Sequence, residues 1–92
     1  MAPRFVRDAN VITQPNGEST VLFHMETGRY FSLNETGARV WTLCDGTRTA
    51  ADITTMMAEE FDASPQVLRD DVAELLEQFV SQGLVRTALD QL

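Results

Sequence analysis

The chain has 92 residues, 43% hydrophobic and 23% charged, proportions that fit one globular domain over residues 1–92 with a modest core. Fourteen acids against seven arginines, with no lysine, give a formal charge of −7, which opposes approach to nucleic acid because that affinity rests on basic phosphate contacts. No apolar run nears the roughly eighteen residues of a membrane span, "MAPRFVRDANV" lacks the apolar centre of a secretion signal, and the single Cys44 excludes an internal disulfide and fits a reducing cytoplasm.

In chain order, the first third reads as strands. "FVRDANVIT" (5–13) mixes β-branched and polar residues as a first strand. "QPNGES" (14–19) gathers strong turn formers, with Asn16-Gly17 suited to positive φ. "TVLFHME" (20–26) follows as a second strand, and the Thr27-Gly28 turn leads into a third, "RYFSL" (29–33). The short turns predict an antiparallel meander of three strands.

Three helices follow. Asn34 caps the first, with Glu35 in the first turn, where the helix dipole favours an acid. Val40, Trp41, Leu43 and Cys44 form its apolar side, and Asp45-Gly46 stops it. Thr49 and Asp52 make a capping-box pair for the second helix, whose apolar face is Ile53, Met56, Met57 and Phe61. Ser64-Pro65 starts the third helix, with the cap followed by proline at the first helical position. Leu68, Val72, Leu75, Leu76 and Phe79 recur at helical spacing along it, and Gly83 with Leu84 gives a left-handed C-cap with an apolar lock. "LVRT" (84–87) adds a short last strand, and the tail beyond it is expected to fray. The expected fold is α+β and winged helix-turn-helix-like, a three-stranded antiparallel sheet followed by three helices.

Catalytic chemistry is sparse. His24 is the only histidine and lies in an apolar strand, where a structural role is commoner than that of a base. Cys44 ends an apolar helical face beside Trp41, where a buried thiol is inert. The sequence has no zinc-ligand spacing and no glycine-rich phosphate loop, so neither metal nor cofactor is expected. Asp70, Asp71, Glu74 and Glu77 read as the wet face of the third helix, and with only Arg69 beside them they would repel DNA phosphates. The expectation is a protein that is not an enzyme. A winged-helix transcriptional regulator is the alternative of another class.

The third strand remains. An edge strand exposes unpaired backbone groups unless something covers it, and only Arg29 supplies charge to discourage pairing there. Peptides use such edges by adding a strand. The contrary reading covers the edge with the third helix and makes Tyr30, Phe31 and Leu33 plain core.

"HMETGRYFSLNETGARVWTLCDGTRTAADI" with "VLRDDVAELLEQFVSQGLV" resembles the PqqD-like family of recognition elements for ribosomally made precursor peptides, from about Val21 to Val85. The most telling parts are "GRYFSLN", "GARVW" with a following "DGT", and "DDVAELLEQFVSQGLV". The resemblance implies a three-stranded sheet packed on three helices, with a precursor's leader bound as an added strand in the groove between the third strand and third helix. Carried over by position, it implies a leader site of Arg29, Tyr30, Phe31, Ser32 and Leu33 with Val67, Leu68, Asp71, Leu75 and Gln78. Asp71 would meet a basic or hydroxyl group, and Phe31, Val67, Leu68 and Leu75 would line apolar pockets. Phe31→Pro is then expected to weaken docking by removing a strand N–H.

Within the family, the "GRYFSLN…GARVW" pattern looks most like the stand-alone leader-binding proteins of lasso-peptide biosynthesis, which serve a separate cysteine protease and cyclase. The alternative is the peptide chaperone of pyrroloquinoline quinone biosynthesis, which delivers its precursor to a radical SAM enzyme. The chain stops soon after the third helix, so action in trans is expected, as a monomer or weak dimer without nucleic acid or membrane partners.

Overall fold

The computed structural model describes residues 2–88. Strands β1 (Arg4–Arg7), β2 (Val11–Asn16), β3 (Ser19–His24) and β4 (Tyr30–Leu33) precede helix α1 (Glu35–Leu43), and β5 (Asp45–Thr49), α2 (Ala50–Glu60), α3 (Pro65–Ser81) and β6 (Val85–Ala88) complete the chain. They form two antiparallel three-stranded sheets, one in the order β2-β3-β4 and the other β5-β1-β6.

The expected single sheet is thereby corrected. The segment expected as one strand over residues 5–13 breaks at Asp8, whose carboxylate accepts the Asn10 N–H at 2.8 Å while its carbonyl accepts the Val11 N–H at 3.2 Å. Such an Asx-turn redirects the chain, so β1 and β2 belong to different sheets. β5 was expected only as the stop after the first helix. It pairs with β1, and Asp45 binds both the Thr47 backbone N–H and its hydroxyl, which draws the Asp45 carboxyl below its ordinary range. β6, expected at 84–87, pairs with the other side of β1 from Arg4↔Ala88 to Arg7↔Val85. The tail beyond residue 88 lies outside the described residues.

The meander and helix ends follow from local chemistry. β2 and β3 pair out to Asn16↔Ser19, leaving Gly17-Glu18 as a two-residue turn in which only Gly17 has positive φ. Asn34 accepts the Gly37 N–H, Thr49 and Asp52 cap α2 reciprocally, and Ser64 accepts the Val67 N–H ahead of α3. α3 ends in a Schellman motif with Gly83 at φ +72°. The Leu84 N–H bonds the Phe79 carbonyl at 2.9 Å, and the Gly83 N–H bonds that of Val80 at 3.1 Å.

The core is one cluster joining both sheets and all three helices, including Leu22, Leu33, Val40, Ile53, Met57, Val72, Leu76 and Leu84. Trp41, only 2% exposed, ties its parts together. Its indole N–H donates to Thr13 Oγ1 on β2 at 3.0 Å, and its ring meets Phe79 of α3 edge-on at 5.6 Å. The Arg7 guanidinium lies 6.0 Å from the Trp41 ring centre and donates to the Trp41 and Thr42 carbonyls at 3.0 and 2.7 Å, satisfying acceptors that the end of α1 leaves open. On the surface, Arg39 binds both oxygens of Glu60 at 2.7 Å and pins α1 to the end of α2.

Replacing Trp41 by Ala is expected to destabilise the protein by about 3–5 kcal/mol, because it opens a cavity and strands the ring's partners. Urea unfolding measures the cost, and a loss below about 1 kcal/mol would refute Trp41 as the joint of the core.

Candidate functional site

β4 is paired on one side only. The open side follows from hydrogen-bond alternation in an antiparallel ladder. The His24 N–H donates to the Arg29 carbonyl at 2.9 Å, while that of its neighbour Met25 donates the opposite way, to Asn10. Along the register Phe23↔Tyr30, Leu22↔Phe31, Val21↔Ser32 and Thr20↔Leu33, Phe31 and Leu33 therefore spend their N–H and C=O groups on β3. Tyr30 and Ser32 point theirs outward. The open edge offers two donors and two acceptors at alternate residues.

The side chains alternate in the complementary sense. Leu33 is buried and Phe31 half-buried, both against the core, whereas Tyr30 is 72% exposed and lies on the outer face with its ring 4.8 Å from that of Phe23. The other edge of this sheet, β2, carries Pro15, which has no N–H to offer.

Across from the β4 edge runs α3, and a groove of about 860 Å³ separates them. Phe31, Leu33, Leu75, Phe79 and Leu84 make it apolar, and Ser32, Asn34, Gln78 and Gln82 supply polar groups around it. At one end the lining residue Gln82 accepts a bond from Arg29, Nη1 to Oε1 at 3.2 Å. The opposite end opens into a smaller depression lined by Asn34, Thr36, Asp71, Glu74, Leu75 and Gln78. The groove is thus apolar in the middle, carries a guanidinium at one end and two carboxylates at the other.

Of the residues expected at this site, Tyr30, Phe31, Ser32, Leu33, Leu75 and Gln78 line the groove. Arg29 does not line the groove but bonds Gln82, which does, and Asp71 lines the adjoining depression. Leu68 is buried in the core, and Val67 is exposed one helical turn before Asp71, lining neither cavity. Reading from sequence missed Ser19, Asn34, Gly37, Phe79, Gln82 and Leu84 as groove residues. Asn34 reads as a cap, Phe79 as core and Leu84 as the lock of a helix end, and these same features form part of the groove wall. Gly37 has a steric reason: a Cβ there would lie 3.3 Å from the Asn34 carboxamide oxygen that caps α1.

Other reactive groups are occupied. Asp8, His24 and Glu26 bring potential ligand atoms within 4.8 Å of one another. Yet His24 Nδ1 accepts the Glu26 N–H at 3.2 Å, which leaves Nε2 to donate to the Gly83 carbonyl at 3.1 Å. Asn10 engages both carboxylates. These three residues organise turns and have no free ring nitrogen for a metal. Burial pushes the Cys44 thiol up to about 12, so it stays protonated and is no nucleophile near neutral pH.

The family model for Coenzyme PQQ synthesis protein D (PqqD) matches residues 19–85. The chain belongs to the PqqD family. PqqD-like proteins of this kind are precursor-recognition elements and not enzymes. Two solved structures share this fold. One is TbiB1 in complex with the TbiA(beta) leader peptide, with 22% identity, a TM-score of 0.80, and coverage of 92% of this chain and 99% of that one. The other is lasso peptide synthetase B1 complexed with the leader peptide, with 19% identity, a TM-score of 0.79, and coverage of 90% and 98%. No curated protein sequence matches the chain. No helix among the described residues of this PqqD-family protein is long and apolar enough to cross a membrane.

The Cys44 environment makes a pH prediction. Its pKa is raised on folding, so stability is unaffected below about pH 8.5 and falls as pH rises through 9 towards 12, where only the unfolded thiol ionises. At pH 8 a thiol reagent should label the native protein only as fast as it opens. Immediate stoichiometric labelling would contradict the burial of Cys44.

Proposed function

We propose that this protein binds the leader of a ribosomally synthesised precursor peptide as a fourth strand on β4 and presents it to the leader protease of a lasso-peptide pathway. The observation carrying this reading is the outward-facing backbone of Tyr30 and Ser32 opposite α3 across an apolar groove. Both structures of like fold are complexes with leader peptides.

An extended leader segment would make up to four main-chain hydrogen bonds with Tyr30 and Ser32, each contributing roughly 0.5–1.5 kcal/mol net. Its inward side chains would bury against Phe31, Leu33, Leu75 and Phe79, and its outward ones would lie beside Tyr30. Asp71 and Glu74 suit a basic or hydroxyl side chain where the leader passes the N-terminus of α1, and Arg29 suits an acidic or amide group at the other end. Because strand and helix are already in place, ordering the peptide is the main entropic cost.

In outline, the helices with the β5-β1-β6 sheet can be read as a winged helix-turn-helix. Its exposed acids on α3 favour a peptide over DNA. We read the chain as one domain, acting in the cytoplasm without cofactor, as a monomer or weak dimer beside a separate cysteine protease and cyclase. The PqqD family match favours a second pathway, delivery of a precursor to a radical SAM enzyme in pyrroloquinoline quinone biosynthesis. The test uses synthetic leader peptide of the precursor encoded beside the gene, with cleavage by the neighbouring protease as the second readout.

Ser32→Pro removes an outward N–H without breaking the β3–β4 ladder. It is expected to weaken leader binding at least about tenfold while leaving the melting temperature within a few degrees. Phe31→Pro, whose lost N–H faces β3, is expected to unfold the sheet instead, a correction to its reading as a docking mutation. Titration calorimetry and circular dichroism separate the two, and wild-type affinity in folded Ser32→Pro would remove the added-strand mechanism.

A further inference from the structure

We infer that His24, which touches no part of the groove, is the positioning residue that sets the separation of its two walls. This rests on the leader-binding reading above and adds to it the device that keeps the site preformed. His24 is the one buried polar side chain among the described residues, 4% exposed. Burying a polar ring is unfavourable unless its hydrogen bonds are met, and a hydrocarbon would fill the same space without that requirement. Here both ring nitrogens are met, one in the turn that leads into β4 and the other in the turn that ends α3.

On one side, His24 organises the turn into β4. Its N–H bonds the Arg29 carbonyl at 2.9 Å, its carbonyl accepts the Gly28 N–H at 2.8 Å, and its Nδ1 accepts the Glu26 N–H at 3.2 Å. On the other side, Nε2 donates to the Gly83 carbonyl at 3.1 Å, in the Schellman turn that ends α3. Gln82 and Leu84, the neighbours of Gly83, line the groove. The imidazole is therefore a rigid strut of fixed length between the hinge of the β4 wall and the end of the α3 wall.

Two further bonds help at this end. The Asp8 N–H holds the Leu84 carbonyl at 2.9 Å, and Arg29 reaches Gln82. Asp8 lies beyond the end of β1, outside the β2-β3-β4 sheet, and Arg29 is an exposed, many-jointed side chain. Neither ties β3 to α3 through a buried, rigid ring. Loss of the Nδ1 acceptor or of Nε2–H would each remove one anchor while leaving the other.

The two nitrogens can be tested separately. His24→Gln retains an amide N–H near Nε2 for Gly83, whereas His24→Asn retains an acceptor near Nδ1 for Glu26 and cannot reach Gly83. Leader affinity in folded protein should fall at least about fivefold in His24→Asn and be largely restored in His24→Gln. Without peptide, residual dipolar couplings should show α3 reoriented against β3 and β4 in His24→Asn only. Unchanged affinity and unchanged couplings in folded His24→Asn would overturn the proposal. If the wild type binds no leader, the added-strand function fails, and the couplings still decide whether His24 sets the wall. Should His24→Asn not fold, ¹⁵N spectra of the wild-type ring decide: an Nε2–H with slow exchange supports the strut, and an Nδ1–H tautomer overturns it.

Discussion

An open strand edge is useful only if the helix beside it stays at peptide distance. The structure meets that constraint at the end of α3. Left to hydrophobic packing alone, α3 would be drawn over β4 and cover the edge, because the half-buried Phe31 and Leu75 would bury more surface when closed. The Schellman turn at Gly83 stops the helix, turns Leu84 into the core and feeds β6 into the second sheet. With the helix end fixed by Asp8 and His24, the groove is a product of backbone geometry and not of chance looseness.

The second sheet serves the same end from further away. β1 is its central strand, pairing with β5 and β6, and Arg7 at its end caps α1 beneath Trp41. Trp41 in turn reaches Thr13 on β2 and Phe79 on α3. The two walls of the groove are therefore joined through the core as well as at the rim. Chain order, β1 to one sheet and β2 to the other, makes each sheet brace the other. The charge distribution then acts on a rigid site, with Asp71 and Glu74 at one end and Arg29 at the other, favouring one direction for a charged occupant.

What could be read from the sequence was local. Asn34, Thr49 with Asp52, Ser64-Pro65 and Gly83-Leu84 each act within a few residues, and all four perform the expected capping. The β3–β4 hairpin was legible for the same reason. The second sheet was not, since β1 pairs with segments about forty and eighty residues away and "DGTRT" carries turn formers where a strand forms. The break at Asp8 did leave a signal, an Asp two residues before Asn10 in the pattern of an Asx-turn. At the site, the family resemblance implied Leu75 and Gln78 on the groove side of α3, and both line the groove. Periodicity could not tell which β4 residues turn their backbones outward, because that parity is set by the hydrogen bond from His24 to Arg29. It also could not separate Leu68, a core residue, from Leu75, a wall residue, two turns apart on one stripe.

The most direct test of an added strand on β4 is amide hydrogen exchange at single residues with and without the leader peptide. Phe31 and Leu33 already bond β3, so their protection should change little. Tyr30 and Ser32 face the open edge and should go from fast to slow exchange together. Such alternation would mark a backbone-paired fourth strand in the groove. Equal protection of all four residues, or none at saturating peptide, would contradict it.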